Sequence, residues 1–479
     1  MPRPWPTTPP TAAHRAAYAD AEVVSYWLDE LPVRADDPPL AGTVDADLCI
    51  IGGGFTGLWA ALHAKADDPA RDVVVLEADR VGAGASGRNG GFLIASLTHG
   101  LANGLARFPD EMQALERLAF ENFEGLKADL IAHGIDAQLE ETGELTALLE
   151  PHEVAGAEEE AALLRAYGHD VEVLDAAAMR AEVDSPTYLG GVWDRSGAGL
   201  VHPGRLVAGL RGAALAAGVR IYEHTPAGGL AKAADGGVTV TTPGGAVRAR
   251  RVLLATSAYP PLLARLKHFV VAVYDYVLVS EPLSAAQKDA IGWRGRQGVG
   301  DAGNRFHYYR LTADDRILWG GFDAVYRRGG PVGAQLDDHD PTFAALSQHF
   351  FTTFPQLDGL RFTHRWGGAI DTCSRFSVFF GTALGGRVAY ATGYTGLGVA
   401  ATRFGARVGL DLLDGRATEA TSLDYVRRKP VPFPPEPLRA GVIALTQREL
   451  ARGPRPPPTG GGRGPWLRTL DRLGLGFDS

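Results

Sequence analysis

The chain has 479 residues, 45% hydrophobic and 22% charged, enough for a large core and for two or three domains. Its net charge of -9 argues against a general nucleic-acid binder, because phosphate binding needs a basic surface. Two cysteines, Cys49 and Cys373, are too few for a disulfide framework and suit a reducing cytoplasm, the expected location.

The N-terminus has no apolar core of a secretory signal, and its prolines predict a loose arm over residues 1–45. No apolar run reaches the roughly 18 residues of a membrane helix. The stretch from Asp47 to Phe92 carries the strongest pattern in the chain. An apolar run, Leu48 to Ile51, predicts a strand, and Gly52-x-Gly54-x-x-Gly57 follows it. Phe55 to Ala66 then reads as a helix and Val73 to Leu76 as a second strand ending in Glu77. That order is a dinucleotide-binding unit. Gly52 permits the tight turn, Gly54 lets the backbone approach a pyrophosphate, and Gly57 lets helix and strand pack closely. The helix N-terminus offers N–H groups to phosphate, and Glu77 can accept from ribose hydroxyls.

Beyond it, Asp110 to His133 has helical spacing, and Ala161 to Tyr167 and Ala176 to Glu182 read as shorter helices. Gly143 to Leu149 and Val171 to Leu174 read as strands. Pro203 marks a helix start that runs to about Ala217. Strands are predicted at Val219–Glu223, Val238–Thr242 and Ala246–Leu254, and antiparallel strands with Asp-Asp and Gly-Gly turns over 265–330. Asp340 to Phe354 is helical. A strand at Arg387 to Ala391 enters a second glycine turn, with Gly393, Gly396 and Gly398 opening a helix. A simple NAD-dependent dehydrogenase needs one such turn, whereas two-domain flavin enzymes use a second, late one whose helix N-terminus stabilises a reduced flavin. The alternative is a helix cap used for packing. Past Thr421 the chain is rich in Pro and Arg, with PPPTGGG at 456–462 as a flexible break and an Arg-rich tail from Arg448 read as solvated. There is no internal repeat.

These pieces carry a resemblance. SYWLDELP at 25–32, the nucleotide unit, GAGASGRNGGF at 82–92, HPGRLVAGL, IYEHTPAGGL, VLLATSAYPP and ATGYTGLGVAATRFG span residues 25–412. The chain resembles the FAD-dependent oxidoreductases of the D-amino-acid oxidase superfamily, in the glycine/D-amino-acid oxidase-like group similar to γ-glutamylputrescine oxidase. The resemblance implies an α/β fold. A Rossmann-like FAD-binding domain would be built from discontinuous segments, 46–109, 196–264 and 361–420. A mixed, largely antiparallel α+β substrate domain would comprise 110–195 and 265–360, with 421–479 as a C-terminal extension.

Carried over by motif, Gly52, Gly54, Phe55, Thr56, Gly57, Glu77 and Ala78 would hold the ADP half. Ala85, Ser86, Arg88, Asn89, Gly90 and Gly91 would lie along the pyrophosphate and flavin. The Ala227 backbone would touch adenine. Gly393, Tyr394, Thr395, Gly396, Leu397 and Gly398 would line the pyrimidine end of the flavin. Ser86 either does this or only caps a turn, and Arg88 either does this or only pins its loop. Cys373 lies a few residues from the position at which some relatives attach FAD, so non-covalent FAD is expected. Ala400 stands where sarcosine oxidases have a basic residue associated with oxygen activation, and Leu397 where many relatives have His.

The implied activity is oxidation of a C–N bond in a small amine or amino acid, with hydride to the flavin and hydrolysis of the imine. Oxygen is the expected acceptor, and a dehydrogenase using a quinone or other carrier is the alternative. A flavin-dependent RNA-modification module is a remote one, since the chain is acidic and lacks a methyltransferase segment. No metal cluster is expected. No catalytic residue is assigned. The substrate candidates are Tyr308, Tyr309, Arg310 and His364. Arg310 either pairs bidentately with a substrate carboxylate or binds a neighbouring strand, and His364 either reaches the cavity or is a hydrogen-bonded structural histidine. The oligomeric state is left open.

Overall fold

The computed structural model describes residues 5–303 and 305–450 and resolves them into two large sheets joined by a two-stranded ladder. In the first sheet the parallel strands run in the order Arg220–Tyr222, Val73–Leu76, Gly42–Ile51, Gly245–Leu254, Val388–Thr392. All four side chains of Val73–Leu76 are buried, as a continuous apolar run requires when both faces of a parallel strand are covered. The helices Phe55–Asp67, Pro203–Ala216 and Gly398–Asp414 cover one face, and Leu58, Trp59, Leu206 and Leu410 share one core there. Antiparallel strands finish the edges: Gly229–Lys232 and Val238–Thr242 beside the first half of Gly245–Leu254, and Phe379–Ala383 beside Val388–Thr392.

The second sheet runs Glu22–Val23, Phe362–Thr372, Val271–Ser280, Ile317–Gly321, His307–Leu311, Gly298–Asp301, Glu144–Leu148, Gly190–Asp194, Val171–Asp175. It is mixed and mainly antiparallel. Alternation sends Tyr309, Trp319 and Leu278 to one face, where the helix Asp340–Thr353 packs with Phe343 and Phe350. The other face turns toward the nucleotide unit. The strands Phe92–Ile94 and Ala198–Leu200 form the ladder between the layers.

Several elements differ from the sequence reading. The arm is not loose over its whole length: Tyr18, Tyr26 and Trp27 are buried and Glu22–Val23 adds an edge strand. The expected helix at 161–167 is the end of Pro151–Ala166, whose start is set by Pro151 and a capping box between Glu150 and Glu153. Asp314 and Asp315 make the expected turn, but Gly320 and Gly321 lie within a strand. A helix, Ala285–Ile291, interrupts the β-rich stretch behind its Ser284 cap. Phe362–Thr372, expected among the FAD-binding segments, runs in the second sheet, and Met112–Ala132, expected in the substrate domain, packs on the helices of the first. The segment after Thr421 includes the helix Leu438–Leu450, and PPPTGGG with the tail beyond it lies outside the described residues. No described helix is long and apolar enough to cross a membrane.

His169 ties the layers. Its Nδ1 lies 2.5 Å from Asp194 Oδ2 in the second sheet, and its Nε2 lies 3.2 Å from Glu116 Oε2 on Met112–Ala132. Burial disfavours the charged ring, but the two carboxylates outweigh it and push the pKa up to about 9. A folded pKa above the unfolded value gives stability that is full below about pH 6.5 and lost as pH rises through 9. Thermal melts of the wild type should therefore fall between those pH values, and those of His169→Gln should be lower and flatter. Parallel curves would reject the role.

Candidate cofactor and substrate site

The turn after Gly42–Ile51 leaves no room for a side chain. Gly52 has φ 113°, and a Cβ there would sit 2.3 Å from the Ala255 carbonyl oxygen. A Cβ on Gly57 would sit 1.9 Å from the Gly52 oxygen, so this glycine fixes how close the helix lies. Glu77 ends its strand with its carboxylate accepting the Gly53 N–H at 2.7 Å and the Asp79 N–H at 2.9 Å. Burial raises its pKa against those bonds. Two N–H donors leave lone pairs free for ribose hydroxyls. Ser86 Oγ accepts the Phe55 N–H at 2.9 Å, capping the helix, while the first-turn N–H groups of Thr56 and Gly57 lack intrahelical partners. Ser86 thus caps the helix and lines the cavity at once.

The loop from Ser86 to Gly91 is held by its carbonyls. Ser25 Oγ donates to Gly87 O at 2.7 Å, Trp366 Nε1 to Arg88 O at 2.9 Å, and Trp27 Nε1 to Asn89 O at 2.8 Å. Arg310 Nη1 reaches Gly91 O at 3.5 Å and Val201 O at 2.6 Å. Arg88 pins the loop from its own side, with Nη1 2.6 Å from Asp337 Oδ2 and Nε donating to Ala83 O at 2.7 Å.

The late turn is set by a residue that the sequence reading missed. Asp371 is buried and accepts the Gly393 N–H at 2.6 Å. Burial pushes its pKa up to about 6, while bonds to Gly393, Tyr394 and Thr392 hold it lower. Tyr394 Oη accepts from Thr56 Oγ1 at 3.0 Å, joining the two glycine turns. His99 Nε2 lies 3.1 Å from Thr395 O, and both residues have positive φ, 60° and 53°. Burial lowers the His99 pKa, which favours the neutral ring. The signal for Asp371 was an acid a few residues from Cys373, and nothing local marked it as the support of a turn 22 residues later.

One cavity of 740 Å³ joins these parts. Gly52, Gly54, Phe55, Thr56, Glu77, Ala78 and Ala227 line one end; Ala85, Ser86, Arg88, Asn89 and Gly90 line the wall; Tyr394, Thr395, Gly396, Leu397 and Gly398 line the late turn. Gly57, Gly91 and Gly393 do not line it. Their close contacts shape the backbone behind: a Cβ on Gly91 would meet Val201 O at 2.3 Å, and one on Gly393 would meet Phe379 at 2.9 Å. Cys373 does not line it either; its thiol lies 3.2 Å from Ser377 O and 3.4 Å from Gly393 O.

Of the four substrate candidates only Tyr308 lines the cavity. Its hydroxyl donates to Asp275 Oδ2 at 2.5 Å, and burial pushes the Asp275 pKa up to about 6 against that bond. Gly320 and Gly90 make room for its ring, since a Cβ on either would come within 2.7 and 2.6 Å of it. The expectation for Arg310 is corrected: it is fully buried, 5.4 Å from the Trp27 ring, with its guanidinium spent on backbone carbonyls. Tyr309 points to the opposite face, 2.7 Å from Tyr188 Oη and 3.2 Å from Asp301 Oδ1, as alternation dictates. His364 lies beside Thr363 and Asp29 at 2.9 and 3.3 Å, outside the cavity, and takes the structural reading. The sequence reading also missed Glu144 and Asp275 on the sheet face, and Phe433, Ile443 and Gln447 from the C-terminal extension, all of which line the cavity. Gln447 Nε2 donates to Ala324 O, which holds the last helix over that end.

The donors and acceptors fit FAD: a helix N-terminus beside side-chain-free Gly54 for the pyrophosphate, a carboxylate for ribose, and a second helix N-terminus at Gly398 for the flavin. Because a Cβ on Gly57 would overlap the Gly52 carbonyl, Gly57→Ala should weaken FAD retention by on the order of 100-fold, about 2.7 kcal/mol. The flavin-to-protein absorbance ratio after dialysis reads this, and full retention would refute it.

Comparison with known proteins agrees with this geometry. A family model described as FAD dependent oxidoreductase matches residues 47–411. The chain is 32% identical to γ-glutamylputrescine oxidoreductase of Escherichia coli over 421 residues, 85% of this chain and 93% of that protein. It is 30% identical to the probable oxidoreductase OrdL of Haemophilus influenzae over 393 residues, 81% and 87% of the two chains. Glycine oxidase of Geobacillus kaustophilus shares the fold with a TM-score of 0.65 at 19% identity, over 80% of this chain and 99% of that one. The family match takes in strands of both large sheets, and the chain belongs to the DAO family of FAD dependent oxidoreductases, enzymes with FAD as cofactor.

Proposed function

We propose that the enzyme oxidises a C–N bond of a small amine or amino acid, yielding an imine that hydrolyses in water. The observation that carries this reading is the single cavity in which the dinucleotide cradle and the late turn continue onto the glycine-floored face of the second sheet. Two names among similar proteins support the nitrogen chemistry: one is a γ-glutamylputrescine oxidoreductase and one a glycine oxidase. Bound FAD supplies the two-electron acceptor for a hydride from the carbon beside nitrogen.

The chain's own residues then bind, orient and exclude water. Gly54, the Phe55–Asp67 helix and Glu77 hold the ADP half, and Asp371 stiffens the turn at Gly393 by accepting its N–H. Tyr308 has its proton committed to Asp275, which leaves the phenolic oxygen as an acceptor for a substrate N–H. That contact aligns the amine for hydride loss. Phe433 and Ile443 cover the cavity with apolar surface, which keeps water from the reacting carbon.

Oxygen is the electron acceptor in this reading. A second reading, a dehydrogenase that passes electrons to a quinone or other carrier, is favoured by two side chains. Leu397 lines the cavity and Ala400 is buried at the late turn, so neither offers the cation associated with oxygen activation in relatives. A panel of amines and amino acids tests both. At least one member should bleach the flavin without oxygen, and peroxide formed at the turnover rate in air would favour oxygen over a carrier. Bleaching by none would sink the proposal. Tyr308→Phe should slow flavin reduction about 10-fold through loss of one hydrogen bond of about 1.4 kcal/mol.

A further inference from the structure

The face of the second sheet that turns to the cavity carries three polar side chains on a diagonal across the strands. The register pairs Glu144 with Gly298, Gly300 with Tyr308, and Tyr308 with Gly320, and Asp275 lies on the next strand beyond. Asp275 to Glu144 is four strand steps across the sheet and four residues along it, about 23 Å between backbones at roughly 4.8 Å per step and 3.3 Å per residue. The two carboxylates therefore serve different ends of the cavity. Asp275 is engaged by Tyr308. The Glu144 side chain also lines the cavity but has no hydrogen-bond or ion-pair partner among the described residues. Its cross-strand neighbour is Asp194, an acid already bonded to His169. Burial, with Asp194 adding to it, pushes Glu144 up to about 7, and a cation beside it would favour the charged form.

The walls around Glu144 suit an ammonium group. A Cβ on Gly300 would lie 3.8 Å from Glu144 Oε1, so the floor beside the carboxylate is open. The Phe92 ring lies over neighbouring Gly298, close enough that a Cβ there would come within 2.5 Å of it, and stands edge-on to Tyr308 at 5.8 Å. Aromatic surface beside a carboxylate is a favourable setting for a cation. The opposite requirement, a free cation for a substrate carboxylate, is poorly met. Among the described cavity residues the arginines are Arg88 and Arg305, and each is paired, with Asp337 and Asp323. Arg310 is buried elsewhere.

We propose that Glu144 binds a second protonated amino group of the substrate, distant from the nitrogen that is oxidised, so that the cavity takes diamine-type substrates in preference to α-amino acids. This rests on the C–N oxidation proposed above and specifies the substrate of that same site. Holding the distal ammonium on Glu144 directs the other, uncharged amine toward Tyr308 and the late turn. A carboxylate in its place meets like charge, and a methyl group leaves Glu144 unpaired.

The test uses the purified holoenzyme and three amines with the same five-carbon chain: pentylamine, cadaverine and norvaline as both enantiomers. Anaerobic flavin bleaching should be half-saturated by cadaverine at a concentration about 10- to 100-fold below that for pentylamine, as one charged hydrogen bond supplies, and norvaline should be weakest. In Glu144→Gln, an isosteric change, the ratio of cadaverine to pentylamine should fall toward one, with FAD content reporting that the variant is folded. A wild type that prefers norvaline or pentylamine overturns the inference without touching the proposed reaction. So does a folded Glu144→Gln that keeps the cadaverine preference. A flavin that no amine or amino acid bleaches overturns both.

Discussion

The Ser86–Gly91 loop is where the architecture meets. Its carbonyls at Gly87, Arg88, Asn89 and Gly91 take donors from Ser25, Trp366, Trp27 and Arg310. Those donors come from the N-terminal arm and from the second sheet, so both are fastened to a loop that begins beside the first glycine turn. Buried indole and guanidinium N–H groups are costly to leave unpaired, and each here is satisfied by a backbone that has nowhere else to bond. With its carbonyls turned outward, the loop can present its small residues to the cavity. The position of the cofactor cradle relative to the sheet face follows from these bonds.

A second constraint is steric. The site is made of places where a Cβ does not fit or would close the space: Gly52 and Gly57 against backbone, Gly90 and Gly320 against the Tyr308 ring. The first pair brings helix and strand together under the dinucleotide. The second pair lets a tyrosine lie flat between the layers, with its hydroxyl at Asp275. The chemistry of the cavity then depends on a few polar groups: Glu77 and Asp371 tied to backbone N–H groups, Asp275 tied to Tyr308, and Glu144 with none of these.

The parts of the molecule legible in the sequence were those written in local pattern. Val73–Leu76, Ala176–Glu182 and Val238–Thr242 fall where apolar spacing and turn residues put them, and most cofactor candidates line the cavity because the glycine turns that carry them are written in adjacent residues. The failures have a common cause. Tyr308, Tyr309 and Arg310 are adjacent, and no local rule says which faces a ligand. Alternation sends Tyr309 to the aromatic core, while Arg310 on the cavity side is intercepted by the carbonyls of Gly91 and Val201. Tyr26 and Trp27 looked like part of a loose arm because their partners lie on distant segments of chain.

By itself, then, the sequence determined the cofactor class, since the spacing of strand, glycines, helix and acid carries the dinucleotide site within a few dozen residues. It also determined the existence of most strands and helices, which depend on periodicity within a window. Tertiary structure alone decided which polar side chains share the cavity. Glu144, Asp275, His99 and Asp371 meet there from strands and loops far apart in the chain, and their roles come from partners gained or left out on folding. A carboxylate reads the same in sequence whether it holds a turn, bonds a tyrosine or stands unpaired, and only the packed fold distinguishes these.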